Sequence, residues 1–150
     1  MRLSVQEAPF DLGAESAGFA GSLAGAGAVV TFTGIVRGDG GLTAMEIEHY
    51  PGMTERALAD IEAEAQRRWP LSASLIIHRY GQLAPGEDIV LVIAASAHRD
   101  AAFDACRFLI DWLKTKAPFW KLEEGDSGAH WVEAQESDEA AAARWQDGRG

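Results

Sequence analysis

The chain carries a single cysteine, Cys106, so no disulfide can close within it and its stability must come from burial. Long apolar runs are also missing. No stretch approaches the ~20 apolar residues that cross a bilayer, and no cationic segment near the N-terminus leads into a signal-length apolar run. A soluble, cytoplasmic protein without membrane contact is expected. Basic residues are the minority charge, 13 Lys and Arg against 23 Asp and Glu, for a formal net charge of -10. An acidic surface repels phosphate backbones, which argues against a general nucleic-acid binder. The four histidines, His49, His78, His98 and His130, stand singly, without the i,i+4 or Cys–His spacing of a zinc site. No metal is expected. Walker A and G-x-G-x-x-G signatures are absent, and no Ser-His-Asp order suggests itself. "HRD" at 98–100 resembles the start of a kinase catalytic loop, but neither a Gly-rich phosphate loop nor "DFG" accompanies it. Arg37-Gly38-Asp39 spells an adhesion motif too short to carry weight in a chain with no sign of export.

With 150 residues the chain is long enough for one domain, 1–150, that buries about two thirds of its unfolded surface, with a polar C-terminal segment from about 137. Leu3 and Val5 suggest a first strand, and "LGAESAGFAGSLAGAG" a weak, glycine-interrupted helix. Ala28–Val36 reads as a strand with Arg37 at its end, followed by the turn "GDGG" and a returning strand, Leu42–Tyr50, to make a hairpin. Thr54 is placed to cap a helix running to Trp69 and stopped by Pro70. Leu75–His78 is a strand, "LAPGED" a turn, and Ile89–Ala95 a central strand buried on both faces. His98 and Arg99 open a long helix that ends at Lys114. "EEGDSGA" reads as a mobile loop, His130–Ala134 as a last strand, and Ser137–Trp145 as a polar terminal segment. Mixed strands and helices without regular βαβ alternation give an α+β fold, a mixed, largely antiparallel sheet with two long helices packed on it.

The stretch "LIDWLKTKAPFWKLE" carries the chemistry. Phe103, Cys106, Ile110 and Leu113 recur at helical spacing and form the expected apolar face, which makes Cys106 a buried structural thiol. Lys114 falls in the last turn. Pro118 ends the helix and pushes Ala117 out of the α region, so Phe119 and Lys121 point to one side of an extended segment and Trp120 and Leu122 to the other. Lys114 and Lys121 can then converge across the bend. Spacing alone favours a plainer assignment, in which Lys114 and Lys116 complement the helix dipole and Lys121 is solvated. Arg37, Arg99, Lys114, Lys116 and Lys121 could also form one positive pocket that focuses an anionic small molecule on an otherwise acidic protein. His98 and Arg99, at a helix N-terminus with unpaired N–H groups, would make a phosphate cradle; the alternative is that Arg99 pairs with Asp100 or Glu123.

"FLIDWLKTKAPFWKLE" resembles the large, catalytic subunit of molybdopterin synthase (MoaE-type), and five further stretches match in order: "VVTFTGIVRG", "MEIEHYPGMTERAL", "RWPLSASLIIHRYGQLAPGEDIVLV", "ASAHRDAAF" and "WVEAQESDEAAAARW". Together they cover most of the chain. The resemblance implies the family's α/β hammerhead fold and a sulfurtransferase that inserts sulfur into cyclic pyranopterin monophosphate to give the dithiolene of molybdopterin. The sulfur would arrive as a thiocarboxylate on the C-terminal Gly-Gly of a small ubiquitin-like (MoaD-type) subunit, so no cofactor and no catalytic cysteine is needed. A homodimer carrying two small subunits, a heterotetramer, is implied. Substrate-binding positions carry over to Ile35, Val36, Arg37, His98, Arg99, Lys114, Lys121, Leu122 and Glu123, with Lys114 and Lys121 catalytic. Lys114, crowded by cations and desolvated by the incoming tail, should have a lowered pKa and act as general base or acyl acceptor. The loop at 38–41 is shorter than the family's, and Leu122 stands where the family often has a basic residue. A non-catalytic adaptor that only holds a ubiquitin-like tail is the alternative, and the retained Lys114, Lys121, Arg37 and Arg99 argue against it.

Overall fold

The computed structural model of the chain describes residues 2–20, 24–38, 41–125, 128–132 and 136–146. Its centre is β6 (Asp88–Ser96), whose unbroken apolar run leaves no face for water and therefore needs cover on both. It pairs antiparallel with β2 (Ala28–Ile35) on one side and with β4 (Leu71–Arg79) on the other, and β1 (Arg2–Gln6) adds in parallel to β4. Leu75, Ile77, Leu91 and Ile93 line one face of this sheet, closed by Phe10 and by Phe19 of α1 (Leu12–Ala20). Its other face carries the main core, packed under α2 (Met53–Arg68) and α3 (Arg99–Lys116).

A second four-stranded sheet is built from β5 (Gly81–Leu83), β3 (Leu42–His49), β7 (Phe119–Gly125) and β8 (Gly128–Val132). The expected hairpin of the 28–36 and 42–50 strands does not form. β2 is taken by β6, while β3 pairs with β5 and β7 in the other sheet. The reason is patterning. An all-apolar central strand claims the β-branched β2, whereas β3 alternates, burying Met45 and Ile47 and keeping Glu48 exposed, and suits a sheet wet on one side. Asp39 and Gly40 of the expected turn lie outside the described residues.

Other elements shift for local reasons. Gly52, at φ +85°, is the N-cap of α2, and the Glu55 carboxylate accepts from its N–H. Thr54 is therefore inside the helix, fully buried, and does not cap it. α3 runs two residues past Lys114 and buries Ala102, Ala105, Cys106, Phe108, Leu109, Ile110 and Leu113, leaving Phe103 59% exposed at the rim. The broad buried arc reflects packing against β2, β6, α2 and α4 (Glu136–Ala143) at once. The expected loop at 123–129 is instead largely strand, β7 pairing with β8 as far as Gly125 opposite Gly128, and the last strand spans Gly128–Val132; Asp126, Ser127 and Ala134 lie outside the described residues. The terminal segment is not merely polar. Trp145 is buried edge-on against Trp69 and Phe108, and its indole N–H donates to Asp111 at 2.8 Å.

Candidate functional site: two lysines over a histidine pair

β7 leaves α3 through Pro118 and returns beside β3 with Phe119 opposite His49, Lys121 opposite Ile47 and Glu123 opposite Met45. Directly opposed residues share a face. Since Met45 and Ile47 are buried, Phe119, Lys121 and Glu123 point inward, half-buried, and Trp120, Leu122 and Glu124 point out. Leu122 is thus separated by the sheet from the two site residues that flank it. Outside, Trp120 packs edge-on against Tyr50 at 4.4 Å.

Beneath the inward face lies an aromatic cluster. The His78 ring, 3% exposed on β4, stacks on Phe119 at 3.7 Å and 15°. His49 lies tilted against Phe119 at 6.1 Å and against Tyr80 at 4.5 Å. Hydrogen bonds fix how both rings present themselves. His78 Nδ1 is 2.8 Å from the Arg79 carbonyl, which can only accept, so Nδ1 carries the proton and Nε2 the lone pair. The Thr54 hydroxyl donates its one hydrogen to the Tyr50 carbonyl at 2.8 Å, so His49 Nδ1, 3.0 Å from Thr54 Oγ1, must be the donor there. Burial, and then the positive charges of Lys121, His49 and Lys114, drive the His78 pKa down to about 3 against the Arg79 hydrogen bond that opposes it. His78 is neutral at any working pH. Lys121, on the inward face of β7, and Lys114, in the last turn of α3, are both near enough for their charge to act on this ring. Lys116 turns away and lies over the Trp112 ring at 4.7 Å.

The remaining sequence-derived positions divide by place. Ile35 is 53% exposed, while Val36 is buried, donating its N–H to Glu87 O and accepting from Gly86 N. Val36 therefore anchors the end of β2 and leaves the exposed Arg37 beyond it. β2 runs antiparallel to β6 with Ile35 opposite Asp88, and α3 runs back along β6, so Arg37 and the C-terminal end of α3 share one end of the sheet. His98 and Arg99, both exposed, are at the other. The 1.5 Å rise per helical residue puts Arg99 and Lys114 about 22 Å apart along α3. The single pocket expected from Arg37, Arg99 and the lysines cannot be assembled within one copy. Cys106 is remote from both ends, inside the core with its thiol pushed up to about 12 by burial.

Metal-site spacing does not reveal the histidine–phenylalanine cluster, because His49 and His78 stand far apart in the chain and meet only through Phe119. A signal existed. Both stand at in-register positions of apolar strand faces, "MEIEH" and "SLIIH", where a buried imidazole needs partners.

On this α+β scaffold two lysine amines lie near a buried, neutral imidazole, and amines so placed are able to accept an acyl group or move a proton, as a small-molecule transferase requires. Residues 5–116 match the family described as MoaE protein, and the chain belongs to that family of sulfurtransferases. It is 59% identical over 146 residues to the molybdopterin synthase catalytic subunit of Cereibacter sphaeroides, covering 97% of this chain and 100% of that one. The fold matches the molybdopterin biosynthesis MoaE protein of Burkholderia ambifaria at a TM-score of 0.83 and 48% identity, over 96% of this chain and 97% of that one. It matches the molybdopterin synthase of Staphylococcus aureus at a TM-score of 0.77 and 32% identity, over 86% and 95%.

Proposed function

We propose that the chain transfers sulfur from the C-terminal thiocarboxylate of a small ubiquitin-like subunit to cyclic pyranopterin monophosphate, with Lys114 and Lys121 as the catalytic amines. What supports this is that both lysines act electrostatically on one neutral buried imidazole, Lys114 from the end of a helix fixed in the core and Lys121 from the inward face of β7. Lys114 is exposed, open to an incoming tail whose arrival would strip it of water and favour the amine form. The Gly-Gly end of the carrier suits a narrow approach because glycine lets a backbone pass close to the site. Sulfur comes with the carrier, so neither a cofactor nor Cys106 is required. The cytoplasm is the setting this implies; among the described residues no helix is long and apolar enough to cross a membrane.

The distance along α3 supports an assembly of two copies. His98 and Arg99 form an open cationic end suited to the substrate phosphate, but about 22 Å of helix separates them from Lys114 of the same copy. A second copy, related by a two-fold axis, brings its Arg99 end to the first copy's lysines, giving a homodimer that carries two small subunits. The test is turnover of cyclic pyranopterin monophosphate by this protein with thiocarboxylated carrier, in Lys114→Ala, in Arg99→Ala and in the two variants mixed. Each alone should be nearly inactive at low substrate. Random mixing makes half the dimers heterodimers with one intact site each, so roughly a quarter of normal activity should return. No return would rule out the shared pocket, and carrier binding without turnover in the unchanged protein would leave only an adaptor.

A further inference from the structure

The sulfur chemistry leaves the buried imidazole near the two lysines without a task. His78 is 3% exposed, its Nδ1–H is held by the Arg79 carbonyl at 2.8 Å, and its face lies on Phe119 at 3.7 Å. Anchored that way, Nε2 is the free tip of the ring, directed away from the β4 backbone with a lone pair and no proton. Lys121 is two residues past Phe119 on the same face of β7, next along that face to the ring on which His78 stacks. The charged and titratable groups that face the ring are Lys121 on β7, His49 on β3 and Lys114 on α3; from β6, its register partner is Val90.

We propose that His78 is a positioning residue for the lysine pair: its Nε2 accepts from the Lys121 ammonium and holds that side chain in place without adding a charge. A carboxylate there would pin the lysine in its charged form, and a protonated imidazole would repel it. A neutral acceptor does neither, so the lysine keeps its place through both protonation states. Phe119 keeps the imidazole plane fixed, and His49, whose Nδ1–H is committed to Thr54, lies tilted against the same Phe119 ring.

This inference rests on the catalytic reading of Lys114 and Lys121, and its test therefore includes readouts that need no turnover. His78→Phe keeps the ring and the stack but removes both nitrogens; His78→Asn keeps a donor near the Nδ1 position, and His78→Gln restores a polar atom near the Nε2 position. In the unchanged protein, nitrogen NMR should show one His78 tautomer, protonated on Nδ1, throughout neutral pH. In His78→Phe the Lys121 ammonium should titrate at lower pH than in the unchanged protein, because it has lost an acceptor that favoured its charged form. With carrier and substrate supplied, kcat should fall about tenfold at unchanged KM, and the acid limb of the pH–rate profile should move to lower pH with the lysine. His78→Gln should recover most of kcat and His78→Asn should not. Should His78→Phe fail to fold, the Gln and Asn pair decides. Lys121 titrating identically in all of them, or Asn serving as well as Gln, would overturn the proposal. An inactive unchanged protein whose Lys121 titration still follows His78 would fault the sulfur-transfer reading and leave this one standing.

Discussion

The two ends of α3 are built on opposite plans. At the C-terminal end Lys114 and Lys121 lie near a buried histidine whose tautomer, stacking partner and charge are all fixed by burial and by neighbours in β4 and β7. At the N-terminal end His98 and Arg99 stand in water on an N-cap that has no side-chain hydrogen bond of its own. One end is organised before any ligand arrives; the other is a cationic surface that gains definition when something closes over it. The proposed roles give this difference its sense: groups that move protons need their geometry in advance, because misplacement acts directly on the barrier, whereas a phosphate contact tolerates rearrangement and shows mainly in affinity.

Substitutions at the two ends should therefore fail differently. Lys114→Ala should lower kcat at least about a hundredfold with carrier binding retained, and Lys116→Ala, which removes only a surface contact with Trp112, should leave turnover nearly unchanged. Steady-state assays with purified carrier would reveal it; near-normal kcat in Lys114→Ala would erase the distinction drawn between the ends. Arg99→Ala should act on KM, by about 10- to 100-fold for the loss of a charge-assisted contact, with a smaller change in kcat.

A third comparison uses pH. The folded His78 pKa of about 3 lies below its ordinary 6.5, so as pH falls below 6.5 the unfolded chain takes up a proton that the folded chain refuses. Stability attributable to this residue is complete above pH 6.5 and declines by about 1.4 kcal/mol per pH unit on the way to pH 3. Urea unfolding between pH 7 and 5 should show that slope, reduced accordingly in His78→Phe; equal slopes would mean the ring is protonated in place. The smallest effect belongs to Cys106, which lies between the ends and touches neither. Cys106→Ala should cost about 1 kcal/mol of stability and leave turnover intact, since a thiol pushed up to about 12 is no nucleophile at neutral pH.

Much of the fold could be read in advance because its signals are local. The apolar run of β6, the proline that ends α3, and the alternation that sends Phe119 and Lys121 one way and Leu122 the other depend only on neighbouring residues. Strand partnership was not local in that sense. β2 and β3 are adjacent in the chain, yet the competition for β6 put them in different sheets, and no property of the connecting residues reveals who else needs a partner. The terminal segment misled for the same reason, its polar composition hiding the one tryptophan that the α2–α3 junction takes in.

The sequence by itself determined which residues can do chemistry here, since only side-chain identity supplies two amines, a guanidinium at a helix start and a lone, inert thiol, and the resemblance of long motifs attached those groups to sulfur transfer. Tertiary structure alone decided which of them meet. α3 is a rigid rod, so Arg99 and Lys114 must be far apart in one copy however close their roles, while His49 and His78, separated by a helix and most of a strand, both come to lie against Phe119 because β3 and β4 belong to sheets that pack across the same core.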